Sequence, residues 1–81
     1  MAAKSVNTTV STLIESTMGM KSVLVQNLGT GGLWVDVQPG PNATVSQSTG
    51  VYVGIGETVP VDVYQANLVA VSNGTSDVRY C

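Results

Sequence analysis

The sequence predicts an all-β domain: a small antiparallel β-sandwich or barrel of six to seven short strands with an N-terminal arm. Fifteen of the 81 residues are valine, which is stiff at χ1 and fits a pleated, half-buried surface better than a helix. Turn signals rich in glycine, proline and asparagine recur about every eight to twelve residues, a spacing typical of sandwiches and small barrels. Helical periodicity is absent beyond the N-terminus, so a parallel βαβ arrangement is disfavoured.

Residues 1–20 are predicted to form an N-terminal arm or first strand, and residues 21–81 the β-sandwich domain. Apolar and β-branched residues alternate from Val6 to Ile14, which fits one strand. A weaker helical stripe overlaps this segment, but its β-branched residues favour the strand. The functional alternative is an arm that contacts a neighbouring subunit.

The stretch Ser22–Val37 predicts a β-hairpin. Two β-favouring runs, Val23–Val25 and Leu33–Val37, flank a loop of sequence NLGTGG, which is rich in residues that tolerate positive φ. Three apolar residues in succession in the first run predict a central strand or a strand that contacts another protomer. In the second run Trp34 lies on the face opposite the alternating apolar residues. This single tryptophan is interpreted either as packing against a loop or as an interface anchor.

A second hairpin is predicted from Val51–Val53 and Thr58–Val63. Valines alternate with polar residues in the second of these runs, so one side of the strand is expected to be buried. Pro60 cannot donate to a sheet ladder, which places this strand at an edge. The intervening glycines do not match a phosphate loop, because no lysine follows them.

Turn signals divide the rest of the chain. Two prolines around a glycine at Gln38–Asn42 predict a change of direction. Leu68–Ser72 is mostly apolar and predicts a buried strand, and Asn73-Gly74 is a strong turn signal before a last strand at Thr75–Tyr80.

Composition excludes several classes of function. Only 10% of the residues are charged, the formal net charge is −2, and three cations cannot neutralise many phosphates, so we expect no nucleic-acid partner. No apolar run approaches the roughly 20 residues of a membrane span, so no membrane partner is expected. The N-terminus lacks the apolar core of a signal peptide, which predicts synthesis in a reducing cytoplasm with Cys81 as a free thiol.

Small size predicts a need for a partner. A domain this small buries only about 60% of the surface that its unfolded chain exposes. A single cysteine cannot form an internal disulfide, and the absence of histidine leaves no plausible zinc site. Self-association or docking on a larger surface is therefore the expected source of further stabilisation.

The sequence predicts no catalytic site, no metal site and no cofactor. Histidine is absent, the one cysteine is terminal, and the five carboxylates lie in separate segments. Catalysis usually needs a positioned base, nucleophile or metal. We therefore expect the chain not to be an enzyme.

Six short segments, taken in order, carry a resemblance to a known group of proteins. They are Lys21–Gly31 (KSVLVQNLGTG), Leu33–Val35 (LWV), Ser48–Val51 (STGV), Gly56–Val59 (GETV), Leu68–Ser72 (LVAVS) and Gly74–Arg79 (GTSDVR). This succession, over residues 21 to 80, resembles the small β-sandwich virion structural proteins of tailed bacteriophages, of the head decoration or capsid accessory type. The chain departs from their pattern in its longer, proline-containing connection after Val37 and in ending directly after the last strand.

The resemblance implies a decoration protein on the outside of the assembled capsid, which it stabilises. The implied partner is the major capsid protein, with self-association as a homo-oligomer, a trimer at three-fold axes. The implied location is the virion, at the capsid surface, after synthesis in the host cytoplasm. The residues expected to make interface contacts are Val10, Leu13, Ile14, Trp34, Asp77 and Arg79.

Two other functions remain open from the sequence. One is a carbohydrate- or receptor-binding β-sandwich module, which would need an exposed cluster of at least two aromatic residues. The other is a tail or connector component, which is expected to form rings.

Overall fold

Eight β-strands make up most of the chain that the computed structural model describes, namely residues 2–15, 20–38 and 44–80. They are β1 (Ala2–Val6), β2 (Ser11–Ile14), β3 (Met20–Asn27), β4 (Leu33–Gln38), β5 (Val51–Val53), β6 (Thr58–Tyr64), β7 (Asn67–Ser72) and β8 (Ser76–Tyr80). No helix occurs in these described ranges. The predicted all-β class is confirmed, with eight strands instead of six or seven.

The strands form two four-stranded antiparallel sheets. The first sheet has the order β1-β8-β3-β6 and the second the order β2-β7-β4-β5. Each strand in the first half of the chain pairs with its counterpart in the second half: β1 with β8, β2 with β7, β3 with β6 and β4 with β5. An eight-stranded double sheet wrapped in this way is a jelly roll.

The main core lies between the two sheets. Alternate residues of each strand face inward, because successive side chains of a strand point to opposite faces. This pattern buries a set of mostly branched side chains from all eight strands: Val6, Leu13, Val23, Val25, Leu33, Val35, Val53, Val63, Leu68, Ala70 and Val78.

A second, smaller core covers the outer face of the second sheet. Val69 and Val71 of β7 point away from the main core and pack with Val45, which comes from the connection between β4 and β5. This packing explains why every residue of β7 is buried. The predicted buried strand is thereby confirmed.

Both predicted hairpins are wrong. β3 and β4 lie in different sheets, and so do β5 and β6. Their glycine-containing loops cross from one sheet to the other. Among the strand pairings of the described residues, β4 with β5 is the one that joins consecutive strands.

The N-terminal segment is also organised differently from the prediction. It forms two strands instead of one, with β1 at an edge of the first sheet and β2 at an edge of the second. Residues 7–10 cross between the sheets, and both Val6 and Leu13 belong to the main core. Residues 2–15 are therefore part of the sandwich, and the expected boundary between residues 20 and 21 does not separate them from it as an arm.

Two finer predictions are confirmed. Pro60 lies in β6, an edge strand of the first sheet, where one side of the backbone has no sheet partner. β3 is an interior strand that buries Val23 and Val25 and leaves Leu24 half exposed on the outer face. The turn predicted at Gln38–Asn42, apart from Gln38, and Cys81 lie outside the described residues.

Candidate interaction surface

An aromatic pair lies on the outer face of the second sheet. Trp34 of β4 is directly opposite Tyr52 of the edge strand β5, and their ring centroids are 5.0 Å apart with the planes tilted by 51°. Trp34 is half-buried because it packs against the smaller core, whereas Tyr52 is 54% exposed. Neighbouring rings at this distance and tilt attract each other through their quadrupoles.

Two glycines allow the Tyr52 ring to lie close to the backbone on both sides. A Cβ at Gly32 would lie 2.8 Å from Tyr52 Cε1 and 3.2 Å from Trp34 Cη2, so any larger residue there would push the two rings aside. A Cβ at Gly54 would lie 3.5 Å from Tyr52 Cε2. The ring is thus held between the loop after β3 and the turn after β5.

A carboxylate borders the same ring. Oε1 of Glu57 lies against the position that a Gly54 Cβ would occupy, and that position is 3.5 Å from Tyr52 Cε2. The Glu57 amide donates to the Gly54 carbonyl at 3.0 Å, and the φ of +81° at Gly56 fits the third position of a type II turn. The turn therefore folds the exposed Glu57 side chain back toward Tyr52.

Asn27, at the end of β3, connects the three chain segments that carry this surface: the loop after β3, the end of β5 and the turn before β6. Its side-chain amide donates to the carbonyls of Gly31 (2.9 Å) and Val53 (3.1 Å), which flank the aromatic pair in the sequence. Its backbone donates to the Glu57 carbonyl at 3.1 Å and accepts from the Gly56 amide at 2.7 Å. Asn27 is completely buried, so these bonds fix the loops relative to one another.

The side-chain oxygen of Asn27 also takes part in hydrogen bonds. It accepts hydrogen bonds from the Gly29 amide at 3.0 Å and from the hydroxyl of Ser76, which begins β8. The side chain therefore makes four hydrogen bonds: both N–H groups of the amide donate, and the oxygen accepts two bonds. One residue connects the loops after β3 and β5 with the start of β8.

The outer face of the first sheet is a second exposed surface. Leu24 is 49% exposed and lies opposite Pro60, and Tyr64 at the end of β6 is 58% exposed. Ser22 donates to Asp62 at 2.8 Å on the same face. These apolar side chains lie on the opposite side of the sandwich from the aromatic pair.

The residues expected at an interface do not form one surface. Leu13 is buried in the main core, as alternation from Ser11, the partner of the inward-facing Ala70, requires, so it is not available as a contact residue at the surface of this chain. Ile14 is half-buried and packs against that core, while Val10 and Trp34 both pack against the smaller core.

Asp77 and Arg79 form an ion pair on the outer face of the first sheet. Arg79 Nη2 and Asp77 Oδ2 are 3.1 Å apart, and the two side chains are 42% and 50% exposed. The hydrogen bond and the charge of Asp77 raise the pKa of Arg79 above its ordinary value. An exposed pair on one strand contributes little to stability.

Sequence patterns did not identify Tyr52, Glu57 or Asn27 as members of one site. Tyr52 and Glu57 are five positions apart and meet through the local turn from Gly54 to Glu57, whereas Asn27 is distant in sequence and reaches them only through the arrangement of the strands. One signal was available. Successive side chains of a strand point to opposite faces, so Tyr52, which precedes the buried Val53, must face outward.

Neither a metal centre nor a membrane helix is found within residues 2–15, 20–38 and 44–80. The described residues contain no group of three or more histidine, cysteine or acidic side chains that could hold a metal ion. They also contain no helix long and apolar enough to cross a membrane. Comparison of the chain with protein-family models, with curated proteins and with solved structures gives no match.

Proposed function

We propose that this chain is a non-enzymatic structural protein of a bacteriophage virion, which binds the outside of the assembled capsid as a decoration protein and stabilises it. The order of the six sequence segments described above supports the proposal. The architecture is compatible with it, since jelly rolls recur in viral capsid domains and in lectins. Fold alone does not assign function, so the surface must carry the argument.

The observation that carries the proposal is a completed core that still leaves large apolar side chains in solvent. In the described part of the chain six of them are 47–61% exposed: Leu24, Leu28, Val51, Tyr52, Ile55 and Tyr64. Three of these lie on or beside the turn and loop that Asn27 holds together. Exposed apolar residues that are grouped in this way support a contact with another protein.

Docking on a capsid accounts for these residues and for the small size of the domain. A lattice presents many copies of the same site, so modest contacts per copy add up when the bound protein is an oligomer. A ligand that binds the assembled shell and not its free subunits stabilises the shell, by about 2.7 kcal/mol at a concentration 100 times Kd. The partner in this proposal is the major capsid protein, and the protein acts as a homotrimer at the capsid surface.

The direct test is co-sedimentation with particles assembled from the major capsid protein encoded in the same genome. Saturable binding to particles, together with a higher temperature of particle disassembly, is the expected result. Unassembled capsid protein is the control. Absence of binding, or equal binding to assembled and unassembled capsid protein, would overturn the proposal.

Light scattering at micromolar concentration tests the oligomeric part. A trimer is expected for three-fold decoration. A larger ring would favour the tail or connector alternative instead.

A carbohydrate- or receptor-binding module is the second candidate, favoured by the Trp34–Tyr52 pair. Such a module needs at least two neighbouring aromatic residues with accessible ring surface. Tyr52 has accessible ring surface, whereas Trp34 is more buried than exposed because it packs against the smaller core. Binding of neutral oligosaccharides in the titration described below is its test.

A further inference from the structure

We infer that Trp34, Tyr52 and Glu57 form a docking site for a cationic side chain of a partner protein, an arginine above all. The inference rests on the proposed function, because it names the chemistry of the contact that the decoration protein would make. It is argued from three properties of the surface.

The first property is an accessible aromatic face. Tyr52 is 54% exposed, and its hydroxyl makes no hydrogen bond to the described part of the chain. The negative face of an aromatic ring attracts ammonium and guanidinium groups. Because the two ring planes are tilted by 51°, Trp34 does not lie flat on Tyr52 and does not cover its face.

The second property is a carboxylate without a partner beside that face. The Glu57 carboxylate makes no hydrogen bond or ion pair with any described residue, in contrast to Asp62, which accepts from Ser22, and Asp77, which binds Arg79. The turn from Gly54 to Glu57 holds it at the Cε2 edge of Tyr52. A cation stacked on the ring would therefore reach the carboxylate.

The third property is the charge of the chain. It has five carboxylates and three cations, and all three cations, Lys4, Lys21 and Arg79, belong to strands of the first sheet, where Arg79 is already paired with Asp77. A cation for Glu57 is therefore expected from another molecule. Arginine fits best, because its planar guanidinium stacks on aromatic rings and binds carboxylates with two parallel hydrogen bonds. Ile55, 61% exposed in the same turn, offers apolar surface to the methylene stem.

The test is a titration with N-acetyl-arginine amide at constant ionic strength. Trp34, the only tryptophan, reports binding by fluorescence, and NMR amide shifts locate it. N-acetyl-citrulline amide is the neutral control of the same shape, and cellobiose is the neutral sugar. We expect the arginine derivative to bind more tightly than either, with shifts at Tyr52 and Glu57.

Paired variants separate this site from general surface effects. Glu57→Gln and Tyr52→Leu are each expected to weaken binding of the arginine derivative about two- to fivefold. The matched controls are Glu15→Gln, an exposed glutamate with the same loss of charge, and Tyr64→Leu, an equally exposed tyrosine on the other sheet. Unchanged thermal unfolding of all four variants would show that folding is preserved.

The site is refuted if citrulline binds as tightly as arginine, or if Glu57→Gln behaves like Glu15→Gln. Tighter binding of cellobiose would also refute it, in favour of a glycan site. Capsid co-sedimentation distinguishes this inference from the proposed function. If the wild-type protein binds capsids and Glu57→Gln binds them equally well, the arginine site is refuted but the decoration function stands. If the wild-type protein does not bind capsids, the decoration function is refuted and the arginine site is tested by the titration alone.

Discussion

Replacing Asn27 by alanine removes the side chain that connects the loops beside the aromatic pair. The truncation deletes four hydrogen bonds, to Gly31, Val53, Gly29 and Ser76. Two of the partner groups, the Val53 carbonyl and the Ser76 hydroxyl, take part in buried bonds that water cannot easily replace. Groups in the loop after β3 are only partly buried and can be solvated.

The expected cost follows from the two buried groups. Each buried polar group left without a partner costs about 1–3 kcal/mol, so Asn27→Ala should lower the free energy of unfolding by about 2–6 kcal/mol. A domain of this length has a total stability of about 4–12 kcal/mol at 0.05–0.15 kcal/mol per residue. The variant is therefore expected to lose about half of its free energy of unfolding and to unfold at a clearly lower urea concentration.

Urea unfolding followed by circular dichroism measures this loss. Asn7→Ala is the matched control, because the Asn7 side chain is exposed and accepts one bond, from the Thr9 amide at 2.9 Å. Its expected cost is about 0.5–1.5 kcal/mol. If Asn27→Ala costs no more than Asn7→Ala, the argument that Asn27 fixes the loops fails.

Asn27→Asp tests the same network through pH. It keeps the shape but places a carboxylate oxygen against two carbonyls, so burial and these dipoles raise the pKa of the new carboxyl in the folded state. A folded-state pKa above the unfolded value means that the penalty is present at neutral pH and is relieved as pH falls toward the unfolded value. The gap in stability between this variant and wild type should narrow on acidification, and a constant gap would contradict the proposed geometry.

Three further predictions concern backbone and surface. Gly29→Ala should destabilise strongly, because a Cβ there would clash with the backbone of Ser76 at the start of β8. Gly74→Ala, whose nearest neighbouring atom is at 4.0 Å, should be nearly neutral in the same urea assay. Gln65→Gly should raise the free energy of unfolding by about 0.5–1 kcal/mol, because φ is 46° at this position and a side chain with a Cβ is strained there. Gln65→Ala keeps the Cβ and should not raise the free energy of unfolding. Arg79→Gln should leave the urea midpoint unchanged, because the exposed ion pair with Asp77 contributes little to stability. A midpoint shift that disappears in high salt would show instead that its pair with Asp77 contributes.

The sequence determined the class of the fold and the character of its strands. The valine content and the alternation of apolar residues select β-structure, and in β4 they correctly separate the inward face of Leu33 and Val35 from the outward Trp34. Pro60 likewise identified an edge strand from its missing amide donor. These properties depend on local geometry, which a short stretch of residues specifies.

Tertiary structure alone decided which strands pair and which side chains meet. Alternation shows that a strand has a buried face but not which sheet it joins, and a glycine-rich loop suits both a tight hairpin and a crossing between sheets. The two predicted hairpins failed for this reason. Tyr52 meets Trp34 across a strand pair 18 positions apart in sequence, and the contacts of Asn27 reach as far as Ser76, so this surface exists only once the two halves of the chain have paired.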